Sequence, residues 1–211
     1  MTQSWYLIDA DEMAQESKYT FYKPSKRIIQ KLEPGNICKL IFSFESDNPE
    51  HPSAERMWVI IDHVDNNKFV GHLDNEPFYI KDLKVGDIIE FESKHIIDLD
   101  VDDNEPNIVE KYLDRCFATK KIIYEKNKIG YFYREEPMEE EKDGIKDSGW
   151  RFLEGDENQE DLDDSENSQF VSLGLILNID DSFLELLEKP IGSAFARNKE
   201  TGKFIHVDSG H

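Results

Sequence analysis

GYFYREEPMEEEKDGIKDSGWRF, Gly130 to Phe152, begins as an alternating aromatic strand, crosses a run of acids and closes on a tryptophan and an arginine. Strand alternation puts Tyr131 and Tyr133 on one face and Phe132 on the other. GWRFLEG, Gly149 to Gly155, reads as another short strand, so the acids lie between two strands. They are either a solvated loop or a charged surface built to hold something.

Working outward, CFATKKIIYEK (Cys116–Lys126) reads as a short strand running into a helix. GDENQEDLDDSENS (Gly155–Ser168) carries no base and a single apolar residue, Leu162. FVSLGLILNID (Phe170–Asp180) is apolar and fits helix or strand. Asp181-Ser182 is placed to cap a helix FLELLEK that Pro190 ends, and AFARNKETGKFIHV reads as a hairpin over Thr201-Gly202. These elements predict an α+β domain over 113–211.

The first half predicts a mostly-β domain over 1–105. KPSKRIIQKL (Lys23–Leu32) has helical spacing and stops at Pro34-Gly35. Strands follow at Cys38–Phe44, RMWVIIDHV and KFVGHL, with Asn66-Asn67 turning the hairpin because asparagine tolerates positive φ. That turn pairs His63 with Val70 and His72 with Ile61. A Gly86-Asp87 turn leads into a last alternating strand, and such short strands suggest a small barrel or a strongly bent sheet. Five of the nine residues of DLDVDDNEP (Asp98–Pro106) are acids and none is a base, which reads as an acidic linker over 98–112.

The chain has 211 residues, 46 acids and 25 bases, a net charge of −21. Its 13 Phe, 8 Tyr and 3 Trp are too many for a disordered chain and predict a packed core. Both halves are acidic. Such a surface repels phosphate backbones and anionic lipid, which argues against nucleic acid or membrane, and it attracts a basic protein. The N-terminal stretch MTQSWYLIDADEMAQE lacks the basic and apolar regions of a secretory signal. No run of the sequence is apolar enough to span a bilayer. Cys38 and Cys116 are then simplest as buried free thiols in a reducing cytoplasm.

Chemical motifs are absent from the sequence. Counted as a calcium loop from Asp98, position 6 is Asp103 instead of glycine and position 12 is Val109 instead of glutamate; counting from Asp161 fails at Glu166 and Ser172. At most a weak, non-specific cation site remains. There is no CxxC, HExxH, GxSxG or glycine-rich phosphate loop, and with so many acids an adjacent pair carries no information. The chain therefore reads as a non-enzyme without cofactor or metal.

Between Glu135 and Glu166 the sequence holds fifteen acids and three bases. Tyr131, Tyr133, Trp150 and Arg151 frame this charge, and they are of the aromatic and arginine types enriched at interface hot spots. Composition alone leaves both readings of the acid run open.

GYFYREEP (Gly130–Pro137), DSGWRFLEGDE (Asp147–Glu157) and KPIGSAF (Lys189–Phe195) occur in this order within about Arg115 to Val207. The arrangement resembles a bacterial family first catalogued as a domain of unknown function and later assigned to the immunity proteins of polymorphic toxin systems (the immunity protein thirty-three type). The resemblance implies an α+β domain that binds and neutralises a toxin. Carried onto matching positions, it picks out Tyr133, Arg134, Glu135, Glu136, Trp150, Arg151, Phe152 and Gly155, with Trp150 and Phe152 also reading as core. EEEKDGI, before Lys146, is longer than the family pattern leads one to expect. ERMWV (Glu55–Val59), LDNEP (Leu73–Pro77) and LKVGD (Leu83–Asp87) make the first half similar to a second small bacterial domain with no activity attached.

The leading expectation is a cytoplasmic immunity-type protein whose acidic surface holds a basic toxin, with a nuclease as the toxin class that charge favours. The expected partner-binding residues are Tyr131, Tyr133, Arg134, Glu135, Glu136, Glu139, Glu140, Trp150, Arg151, Glu154 and Asp156. The alternatives are an acidic regulatory or scaffold module without a toxin partner, or a carboxylate-based hydrolase.

Overall fold

The computed structural model describes residues 3–46, 48, 50–138 and 145–208, with Gln159 described by its backbone. The chain divides into two compact units, Met1–Asn107 and Ile108–His211. The fold class is α+β, as the alternation patterns predict. Among the described residues no helix is long and apolar enough to cross a membrane.

The first unit is a nearly closed barrel. Its strands are β1 (Trp5–Leu7), β2 (Ile37–Phe44), β3 (Ala54–Asp65), β4 (Lys68–Leu73), β5 (Ile88–Glu92) and β6 (Ile96–Leu99). They run in the order β1-β2-β3-β4-β5, with β6 also paired to β2. Every pairing is antiparallel. Alternate residues point inward: Cys38, Leu40, Phe42 and Phe44 from β2, Met57, Val59 and Ile61 from β3, Ile89 and Phe91 from β5. Short helices α1 (Ala10–Glu16) and α2 (Lys26–Ile29) are capped by Asp9 and Ser25.

The β3–β4 hairpin turns at Asn66, φ 56°, as expected. His63 faces Val70, but His72 faces Ile60 and not Ile61. A bulge between Ile61 and His63 adds a residue to β3 and shifts the register beyond it. Asp62, at the bulge, instead meets the His72 ring at 2.9 Å.

The acid run from Asp98 is tied to this unit. Asp98 pairs with Lys39 at 3.0 Å, Asp100 accepts the Ile37 N–H, and Asp103 accepts the N–H of Ser25 at 2.6 Å. These three carboxylates each find a specific donor, so charge density does not keep the segment unstructured.

The second unit holds α3 (Ile108–Lys111), β7 (Arg115–Thr119), α4 (Lys120–Glu125), β8 (Tyr131–Arg134), β9 (Asp147–Leu153), α5 (Gln159–Asp163), β10 (Ser168–Ser172), α6 (Leu173–Ile179), β11 (Ala194–Arg197) and β12 (Phe204–Val207). The sheet order is β10-β7-β9-β8-β11-β12, with β7 and β9 parallel and the other pairs antiparallel. The ambiguous apolar run thus becomes a strand and then a helix, capped where the Ser172 hydroxyl accepts the Leu175 N–H. FLELLEK forms only a 3-10 turn over Leu184–Leu186. Asp180 accepts from the backbone and side chain of Ser182 and pairs with Arg197, and the backbone closes three-residue bonds such as Leu184 N–H to Asp181 C=O.

Candidate functional site

Phe132 lies fully buried at the centre of a ring cluster. Trp150, Phe152, Phe183, Phe195 and Phe204 all lie with centroids 4.9–5.5 Å from its own. Register explains the arrangement, because Phe132 stands opposite Phe152 on one side and Phe195 on the other. Trp150 is 1% exposed and donates its Nε1–H to the Leu187 carbonyl. Trp150 and Phe152 are therefore core residues.

Tyr131 and Tyr133 fall on the opposite face, half-buried, with ring centroids 5.9 Å apart. Arg151 stands opposite both Tyr133 and Phe117 on that face. Its guanidinium makes a two-pronged bond to Asp147 at 2.9 and 2.7 Å, a third to Glu135 at 2.5 Å, and stacks on Phe117. Both Asp147 and Arg151 are buried. Burial by itself would raise the Asp147 pKa, but Arg151 and the N–H groups of Met138 and Gly149 outweigh it and hold the carboxyl below its ordinary range. Burial likewise opposes the charge on Arg151, and the two carboxylates more than restore it. Burial and then Glu135 push the Tyr133 phenol up.

The start of the acid run is consequently fixed. Glu135 N–H donates to the Gly149 carbonyl, and Met138 N–H donates to Asp147. Gly149 has φ +78°, and a Cβ there would collide with the Glu135 carbonyl. The following segment from Glu139 to Gly144, including the expected Glu139 and Glu140, lies outside the described residues. Arg134 donates to the carbonyls of Ser148 and Lys189 and lies over Trp150, so it ties β8 to its neighbours. Glu136 is exposed.

At the other end of β9, Glu157 accepts from the N–H groups of Glu154 and Gly155 and from the Thr119 hydroxyl. Lys121 lies between Glu154 and Asp156, at 3.7 and 2.8 Å. Lys121 lowers the Asp156 pKa, while desolvation and then Asp156 raise that of Glu154. The turn approaches β8 so closely that a Cβ on Gly130 would strike the Glu154 carbonyl.

These pieces frame two adjoining hollows that share Leu153 and Leu162. The larger, 760 Å³, takes in Tyr131, Glu154, Asp156 and Ala196. The smaller, 270 Å³, takes in Phe117, Tyr133, Glu135, Met138, Asp161 and Asp164. Of the expected contact residues, Tyr131, Tyr133, Glu135, Glu154 and Asp156 come together here, while Trp150 and Arg134 serve the core and Arg151 forms part of the wall. The sequence reading missed Phe117, Leu162 and Asp147. Asp147 and Arg151 are four apart on one strand and share a face, which was the available signal for the pair.

Among the described residues no three His, Cys, Asp or Glu side chains are grouped to hold a metal. Both cysteines are buried; burial pushes the Cys38 thiol up to about 12 and the Cys116 thiol higher than its ordinary range, so neither is a ready nucleophile.

In the first unit the recognisable motifs build a loop. The Glu55 carboxylate accepts three consecutive N–H groups, from Phe78, Tyr79 and Ile80, at 2.8, 2.6 and 3.0 Å. Asn75 accepts the Trp58 N–H, and Asp74 N–H donates back to the Trp58 carbonyl. Thus ERMWV and LDNEP lie side by side, and their polar atoms fix the segment that carries exposed Phe78.

Neither a curated protein nor a solved structure matches the chain. Residues 5–107 match the family described as an uncharacterized protein conserved in bacteria (DUF2314), and residues 116–208 match the family described as immunity protein Imm33 domain, so the groove-bearing unit is the one with the immunity-protein likeness.

Proposed function

We propose that this is an immunity-type binding protein that neutralises a bacterial toxin by covering it. The observation that carries the reading is the coincidence of the Imm33 match with an aromatic groove rimmed by carboxylates. The partner is a basic protein. Acids on the rim speed its approach, and the tyrosine floor sets how long it stays. A nuclease fits best, since a site for nucleic acid is itself positively charged. The protein acts in the cytoplasm, without catalysis and without a cofactor.

Co-expression with basic nuclease toxins of bacterial origin tests the reading. The chain should restore growth and co-purify with the toxin, and the complex should weaken as salt rises. A toxin that kills equally in the presence of the chain, with no complex at low salt, would remove the immunity reading in favour of a regulatory module.

A further inference from the structure

The smaller hollow has a chemistry of its own. At 270 Å³ it lies below the roughly 300–1,000 Å³ of sites that enclose a drug-sized ligand, so its size suits one long side chain. Phe117, Tyr133, Met138 and Leu162 give it apolar walls, and Glu135, Asp161 and Asp164 bring three carboxylates to the same lining. Among the described residues the base in this lining is Arg151, which Asp147 already neutralises through a two-pronged bond and whose Nε–H occupies one oxygen of Glu135. The lining therefore favours a cation carried on an apolar stem. Lysine and arginine both have such stems, but the planar guanidinium matches several carboxylate oxygens at once and lies flat on aromatic rings. The protein already holds one guanidinium this way in the wall of the same hollow, where Arg151 lies on Phe117 between Asp147 and Glu135.

We propose that this hollow is a pocket for a single arginine side chain of the partner protein. The proposal rests on the reading above that the groove binds a basic protein, and it names the group that is gripped. The methylene stem lies against Leu162 and Tyr133, and the guanidinium meets the carboxylates.

The test is an amide NMR titration of the full chain with N-acetyl-arginine amide, and in parallel with N-acetyl-citrulline amide, which keeps the shape and lacks the charge. The arginine compound should shift the amides of Tyr133, Met138 and Leu162 with weak, saturable affinity, and citrulline should bind about tenfold more weakly. D161N/D164N keeps acceptor oxygens for the local backbone bonds and should abolish the difference between the two compounds. L162A should weaken both. Equal binding of the two compounds, stronger binding of N-acetyl-lysine amide, shifts spread over the acids of both units, or no shifts would each overturn the pocket. If the pocket fails while the toxin still co-purifies, the immunity reading stands without it. If arginine binds and no toxin does, the pocket stands and the immunity reading falls.

Discussion

Both units are built on a six-stranded sheet, yet the first curls until its inward side chains meet inside a nearly closed barrel, whereas the second stays open. In the barrel, one face of the sheet becomes the core and the other the outside. Its most specific polar group, Glu55, is used to fix a loop. The open sheet buries Phe132 and its ring cluster on one face, and the opposite face keeps Tyr131, Tyr133 and Leu153 within reach of solvent. Its most specific polar group, the Asp147–Arg151 pair, lies on that second face and holds Glu135 in place. Both sheets therefore leave one face outward. What sets the second unit apart is that its outward face carries a buried guanidinium, compensated by two carboxylates, beside the half-buried tyrosines.

The largest expected effect separates the units directly. Asp147→Ala leaves the Arg151 guanidinium buried without its main partner and should cost the second unit about 3–5 kcal/mol. Trp150 is that unit's one tryptophan, so a tryptophan-to-phenylalanine change at Trp5 and Trp58 lets urea unfolding of the second unit be followed by fluorescence. Amide protection of Leu40 and Ile89 should be unchanged. A barrel that loses protection in step would break the comparison, because the two units would then unfold as one.

Next in size, Phe132→Ala should cost about 3–5 kcal/mol or somewhat less where the surrounding rings relax, again in the second unit alone. The matching change in the barrel is Glu55→Gln, which weakens three bonds to backbone N–H groups and should cost about 1–3 kcal/mol. Hydrogen exchange should quicken at Phe78, Tyr79 and Ile80 before anywhere else in the barrel. Uniform quickening would show that the loop is part of the global fold.

Acid should affect the units differently. The folded Asp147 pKa lies below its unfolded value of about 3.9, so its contribution is complete above that value and is lost as pH falls through the folded one. The second unit's urea midpoint should therefore fall as pH drops below about 4, and Asp147→Asn should flatten that slope. Asp9 and Asp103 of the barrel are also held low, against a desolvation that would raise them, by backbone N–H groups and nearby bases. They lie near the surface, and the barrel's slope should be shallower. The smallest effect on stability belongs to Tyr131→Ala with Tyr133→Ala, on the order of 1 kcal/mol for half-buried rings. Binding of the toxin should suffer most in this variant, and loss of folding with no selective loss of binding would place the floor of the groove in the core.

Much of this was legible residue by residue. Period-two alternation locates β2, β3, β8 and β9, and places Phe132 opposite Tyr131 and Tyr133. The Imm33 likeness is carried by short ordered blocks that can be read directly. The His72 register was not legible, because a bulge at Asp62 depends on how two strands meet. Nor was the 3-10 turn at Leu184: the Asp180 near it, which caps α6, is used by Arg197 of β11.

What the sequence by itself determined is which residues alternate, where turns fall and how much negative charge the surface carries, since these depend on neighbours along the chain. What only the tertiary structure decided is the use of each charge. Arg151 was expected at a partner and is held by Asp147 and Glu135, and Asp100 and Asp103 were expected in a linker and hold backbone N–H groups of the first unit. The physical reason is that a carboxylate or guanidinium is satisfied by whichever complementary group comes within about 3 Å, and residues far apart in sequence reach that distance only when the sheets form.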